Sequence, residues 1–121
     1  FVSSVIGYID THEQKEDYII DYVKEYVQEK YMTDIYLDLL ADNLNISKSY
    51  LSSYFKDKTG INLNEYINNF RIQKALSLLE GSTMQVQDIA KEVGISNANT
   101  FTRLFKKFTG QTPTEYRQSR L

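Results

Sequence analysis

Apolar residues recur along this chain with the period of a helix. Ile20, Val23, Val27 and Tyr31 form one stripe, flanked by Ile19, Tyr22 and Tyr26, and predict a helix over residues 13–30. Asp10, Glu13, Glu16 and Asp17 stand near its start, where negative charge is favoured by the helix dipole. Two short amphipathic stretches follow, 37–44 and 86–93, and each runs through a tight break into a further helical pattern. Leu51, Tyr54, Phe55 and the stem of Lys58 share one face of the first such pattern at i, i+3, i+4, i+7, and Phe101, Leu104, Phe105 and Phe108 do so in the second. Between them lies a longer run, 62–80, with Tyr66, Ile67, Phe70, Ile72, Ala75, Leu76, Leu78 and Leu79 on more than one side. It is expected to contact both flanking lobes. No alternating strand pattern stands out, so the fold class is all-α.

The two halves repeat one another. Aligned at an offset of 49, rising to 50 after one extra residue near Asn99, nine pairs are identical: Ala41/Ala90, Ile46/Ile95, Ser47/Ser96, Phe55/Phe105, Lys56/Lys106, Thr59/Thr109, Gly60/Gly110, Glu65/Glu115 and Tyr66/Tyr116. Two copies are too few for a solenoid. They make a tandem pair of one supersecondary unit. Each copy has a short helix with a small residue inside it (Ala41, Ala90), then a break, Asn45-Ile46-Ser47 or Gly94-Ile95-Ser96. Asn and Gly tolerate left-handed φ at a helix end. Ser47 and Ser96 are N-cap residue types for the next helix. Helix, short turn and capped helix make a helix-turn-helix. Thr112-Pro113-Thr114-Glu115 reads as a capping box with proline at the first helical position, and Asn62-Leu63-Asn64-Glu65 as a proline-free version. About seven helices result, in two helix-turn-helix lobes joined by a long linker helix.

The side of each second helix opposite its apolar face carries the candidate chemistry. It holds Lys48, Ser49, Ser52, Ser53 and Lys56 in the first copy, and Asn97, Asn99, Thr102, Arg103, Lys106 and Lys107 in the second, with Tyr50 and Thr100 at the edges. Neither arc contains an acid. Cations and short hydrogen-bonding groups are what reach phosphates and base edges in a major groove. A polar solvent-facing helix is the plain alternative. Its recurrence after the same turn in both copies favours nucleic acid.

Net charge is −2, which does not suggest a DNA binder, but its distribution does: residues 1–46 sum to −7 and residues 47–121 to +5. There is no cysteine, which excludes disulfides and thiolate sites. The single histidine, His12, belongs to the lead-in, so no serine-histidine-aspartate set, zinc spacing or phosphate-cradling glycine loop is present. No enzyme activity, cofactor or metal is expected. No run approaches the ~20 apolar residues of a membrane span, and the amphipathic first helix is acidic, which disfavours a membrane surface. The chain begins at Phe1 without an initiator methionine, as expected of a piece of a longer protein, and the lack of cysteine is compatible with the cytoplasmic setting expected of it. The division expected is a lead-in over 1–13, a first lobe over 14–61, the linker over 62–80 and a second lobe over 81–121.

The order LADNLNIS-x-x-YL-x-x-x-FK-x-x-TG, then R-I-x-x-A-x-x-LL, then IA-x-x-VGIS-x-x-x-x-F-x-R-x-FKK-x-TG-x-TP-x-EYR closely resembles the AraC/XylS family of bacterial transcription regulators. The resemblance covers residues 18–120 and is most specific over 89–117. It implies a seven-helix domain that binds double-stranded promoter DNA, most often activating transcription through RNA polymerase. It also implies an N-terminal sensory or receiver region outside this sequence, with homodimerisation possible in the full protein. The lead-in is similar to versions behind response-regulator receiver domains or on membrane-anchored sensors of Gram-positive bacteria. A 19-residue linker of about 28 Å is close to one DNA turn of about 34 Å, which suits two recognition helices in successive major grooves. Thr100 departs from the family's usual aromatic and Ile95 from its frequent phenylalanine. The first arc is poor in arginine. The competing reading is a protein-interaction or oligomerisation module on the same fold.

Overall fold

Seven helices and no strand are present among residues 18–120, the residues described by the computed structural model. They are α1 (18–30), α2 (Leu37–Asn43), α3 (Lys48–Thr59), α4 (Leu63–Gly81), α5 (Val86–Glu92), α6 (Ala98–Thr109) and α7 (Pro113–Ser119). The all-α reading holds. The acidic lead-in and His12 lie outside the described residues. The helices fall into two units: residues 18–29 with 36–62, and residues 30–35 with 63–120.

In the first unit, α2 packs on α3. The stripe on α1 buries Val23 and Val27 completely, and they are joined in the core by Leu40, Ala41, Leu51 and Phe55. Ala41 has no side chain beyond Cβ to hold the helices apart. The Asn43 side chain donates to the Tyr22 hydroxyl at 2.8 Å, a link across 21 residues of chain.

In the second unit, α4 packs against α5, α6 and α7. Its Ile72, Ala75 and Leu79 enter a core with Ile89, Ala90, Val93, Ile95, Phe101, Leu104, Phe105 and Tyr116. The ring of Phe105 lies 5.8 Å from that of Phe101 and 5.8 Å, edge-on, from that of Tyr116. Arg117 closes the α4–α5 connection by donating to the carbonyls of Leu79, Ser82 and Met84. The Tyr116 hydroxyl donates to the Glu80 carboxylate. Residues 30–35, the last residue of α1 and the five after it, belong to this unit rather than to the unit that holds the rest of α1.

The capping box at α7 is as the sequence predicts. The Thr112 hydroxyl accepts from the Glu115 N–H at 3.2 Å, and the Glu115 carboxylate accepts from the Thr112 N–H at 2.9 Å, with Pro113 at the first helical position. Hydrogen bonding of the Glu115 carboxylate to Thr112, its backbone N–H first and its side chain second, holds the carboxyl below the ordinary carboxylate range, with help from Lys106. A depressed folded-state pKa contributes stability above the unfolded carboxylate pKa, and that stability is lost as pH falls through the folded value. Glu115→Gln is therefore expected to narrow the difference in melting temperature between neutral and acidic solution. An unchanged difference would remove Glu115 from the acid response.

Candidate nucleic-acid interface

Both turns form as the repeat implies, with one shift of register. After α2, Asn45 takes φ +57°, and the Ile46 N–H returns to the Ala41 carbonyl at 3.0 Å. Ser47 then caps α3, its hydroxyl accepting from the Tyr50 N–H at 3.0 Å. After α5, Gly94 takes φ +93°, and the Ile95 N–H returns to the Ala90 carbonyl at 2.9 Å. The cap of α6 is Asn97, not Ser96: its side-chain oxygen accepts from the Thr100 N–H at 2.9 Å. The extra residue of the second copy therefore lies in the turn, before the cap, and not near Asn99. From the caps onward α3 and α6 match at an offset of 50 over 12 residues each.

That geometry assembles each arc on one side of its helix. Phe55 and Leu51 are buried on the inner side of α3, while Lys48, Ser49, Tyr50, Ser53 and Lys56 are exposed and Ser52 is half-buried. Phe101, Leu104 and Phe105 are buried on α6, Asn97, Asn99, Arg103, Lys106 and Lys107 are exposed, and Thr100 and Thr102 are half-buried. Tyr50 is 51% exposed and stacks on Tyr54 with centroids 5.7 Å apart, which fixes its ring at the edge of the arc. Asn97 spends its oxygen on the cap and keeps its NH₂ group as a donor.

The electrostatics of the two arcs differ. Lys48 pairs with Asp38 of α2 at 3.5 Å, and Lys107 with Glu65 of α4 at 3.6 Å, all four side chains being well exposed. Arg103 and Lys56 make no ion pair among the described residues. The surface of α3 also exposes Asp57, one residue beyond Lys56, where the matching residue of α6 is Lys107. The exposed surface of α3 is thus not free of acid, although the arc residues themselves are neutral or basic. The exposed surface of α6 is free of acid. Sequence reasoning missed Asn68 and Arg71 of α4, which line a shallow cleft with Asn97, Thr100 and Arg103. The only hint was Arg71 opening the R-I-x-x-A motif. Among the described residues no cluster of His, Asp or Glu is arranged to hold a metal ion, and no helix is long and apolar enough to cross a membrane.

Comparison with known proteins places these features in a family. A family model described as a helix-turn-helix domain matches residues 40–119. An uncharacterised helix-turn-helix transcriptional regulator of Bacillus subtilis is 39% identical over 90 residues, which are 74% of this chain and 12% of that protein. A probable transcription factor of Proteus vulgaris, PqrA, is 38% identical over 70% of this chain and 70% of its own length. The C-terminal domain of AraT, a response regulator from Geobacillus stearothermophilus, superimposes with a TM-score of 0.80 at 32% identity over 85% of this chain and 86% of that one. The chain thus spans a small part of the Bacillus relative and about two thirds of the Proteus one.

Proposed function

Because the chain belongs to the family of AraC-type helix-turn-helix transcription regulators, we propose that it binds double-stranded promoter DNA sequence-specifically through α3 and α6, in successive major grooves. The observation that carries this reading is the recurrence of one capped, outward-facing arc on two helices of equal length. A single polar helix face has many uses. Two that follow the same left-handed turn, with short polar groups (Ser49/Asn99, Ser52/Thr102) and one cation (Lys56/Lys106) in matching places, suit two segments of one duplex. The functional division follows the repeat, with reading lobes over 14–61 and 81–121 and a connecting helix over 62–80.

The arcs contribute unequally. Arg103, unpaired and exposed on α6, is the principal base reader, since a guanidinium fork matches the two major-groove acceptors of guanine. Asn97, Asn99, Thr100 and Thr102 supply further donors and acceptors around it, and Lys106 and Lys107 hold phosphates. In the first arc Lys48 and Lys56 hold phosphates, and Ser49, Tyr50, Ser52 and Ser53 carry what sequence reading there is. Phosphate contact at Lys48 and Lys107 requires exchange away from Asp38 and Glu65, at small cost because exposed pairs are worth about 0–1 kcal/mol. Arg103→Ala is expected to cost roughly 1–3 kcal/mol on the selected site and much less on random duplex. Equal loss on both would make Arg103 a phosphate contact.

The direct test is selection from a random duplex pool, with a salt titration of the selected site. Affinity should fall with salt by a logarithmic slope of about −0.9 per phosphate contact, and the enriched sequences should hold two elements separated by about 10 base pairs. One enriched element would restrict reading to a single lobe. No binding at low salt would favour an interaction module instead. RNA polymerase, a sensory or receiver region preceding this sequence, assembly of the full protein as a dimer, activation as the outcome, and a cytoplasmic setting complete the proposal.

A further inference from the structure

Residues 30–35 lie early in the chain, yet they are built into the second unit. They are stitched to themselves first: the Thr33 N–H and hydroxyl both donate to the Lys30 carbonyl, at 2.9 and 2.8 Å. They are then gripped from α4. Arg71 donates through Nε to the Tyr31 carbonyl and through Nη2 to the Thr33 carbonyl, both at 2.8 Å. The Tyr31 ring meets Phe70 edge-on at 5.4 Å, with the Lys74 ammonium 5.8 Å from its centroid and 5.3 Å from that of Phe70. Burial lowers the Arg71 pKa and Asp34 raises it.

The other side of this strap is the second helix-turn-helix itself. A Cβ placed on Gly94 would lie 2.4 Å from the Tyr31 carbonyl oxygen, 3.1 Å from Arg71 Nε and 3.3 Å from the Met32 carbonyl carbon. The turn residue before α6 is therefore in direct backbone contact with the strap. The matching turn of the first lobe has Asn45, with a full side chain, at its left-handed position. Three residues after Gly94 stands the Asn97 cap, whose two bonds to the Thr100 and Phe101 N–H groups set where α6 begins.

We propose that the strap positions the second recognition helix: Tyr31 and Arg71, which belong to neither arc, fix the turn at Gly94 and through it the start of α6. Tyr31 and Arg71 are positioning residues under this proposal, and its value for DNA reading rests on the function proposed above.

Amide hydrogen exchange on the full chain tests the proposal without DNA. The two turns offer matched reporters. Ile95, Thr100 and Phe101 donate to Ala90, Asn97 Oδ1 and the Asn97 carbonyl, while Ile46, Tyr50 and Leu51 donate to Ala41, Ser47 Oγ and the Ser47 carbonyl. Tyr31→Ala is expected to lower protection at Ile95, Thr100 and Phe101 at least tenfold and to leave Ile46, Tyr50 and Leu51 as they were. Tyr31→Phe, which keeps the ring, should retain wild-type protection in both sets. Unchanged protection in the α6 set, or an equal fall in both sets, would overturn the proposal. Selective loss of protection with no DNA binding by the wild-type chain would sustain the strap and refute the function proposed for the arcs. On a selected bipartite site, Tyr31→Ala should lose the footprint over the element read by α6 and keep the other.

Discussion

Gly94→Ala is expected to destabilise the chain by about 3 kcal/mol, lowering the melting temperature by on the order of 15 °C. Two costs combine at this position. At φ +93° an L side chain is strained, and its Cβ would stand 2.4 Å from a backbone oxygen that no rotamer change can move away. Relieving the overlap means shifting the strap or the turn, and either move disturbs the Arg71 bond to Tyr31. Gly60→Ala and Gly110→Ala separate the two costs, because both glycines have positive φ and nothing within 4 Å of the added carbon. Those two should lose about 1 kcal/mol and about 5 °C each. Equal losses at all three positions would remove the steric part of the argument, and with it the tight contact at Gly94. Thermal unfolding followed by circular dichroism decides the matter.

Phe105→Ala is expected to cost about 3–5 kcal/mol, the range for deleting a ring from a closed core. Phe105 is fully buried, and its ring fills the space between Phe101 of the same helix and Tyr116 of α7. No exposed side stands ready to collapse into the gap. Phe105→Leu keeps most of the volume and should lose about 1 kcal/mol. Urea unfolding with an unchanged slope is the measurement. A loss below 1 kcal/mol for the alanine variant would mean that the core around α6 is loosely packed. Because Phe105 seats the inner side of α6 in the core, opposite Arg103, the alanine variant should also lose DNA affinity beyond the loss from Lys106→Ala.

Local signals were legible in the sequence, because each is written within a few residues. The 3.6-residue period located the helices described by the structure, Ser47 and Thr112 announced their caps, and the left-handed turns followed from Asn45 and Gly94. The cap of α6 was misplaced because Ser96 and Asn97 are equally good cap types, and the identity of Ser47 with Ser96 drew the alignment one residue early. In the structure the first bonds of α6, from the Thr100 and Phe101 N–H groups, both go to Asn97. The arc named on α3 holds no acid, but the exposed surface of the helix extends past it to Asp57. The strap was invisible for a different reason. Arg71 reaches it across 38 and 40 residues through hydrogen bonds to carbonyl oxygens, which every residue possesses. Hydrogen bonds to backbone leave no pattern of side chains, and the Tyr31 ring contact with Phe70 spans 39 residues, beyond any local period.

The strap also imposes an order on synthesis. The Asn45 turn of the first unit packs with partners made shortly before and after it, whereas Gly94 leaves the ribosome 63 residues after Tyr31. At about 5–20 residues per second, Tyr31 and its neighbours wait roughly 3–13 s before the turn they support exists. The partners of Tyr31 on α4, Phe70, Arg71 and Lys74, emerge within that interval, and the Gly94 turn comes last. A nascent chain of this kind completes the sequence of its first unit while the stretch between α1 and α2 still waits for its last partner.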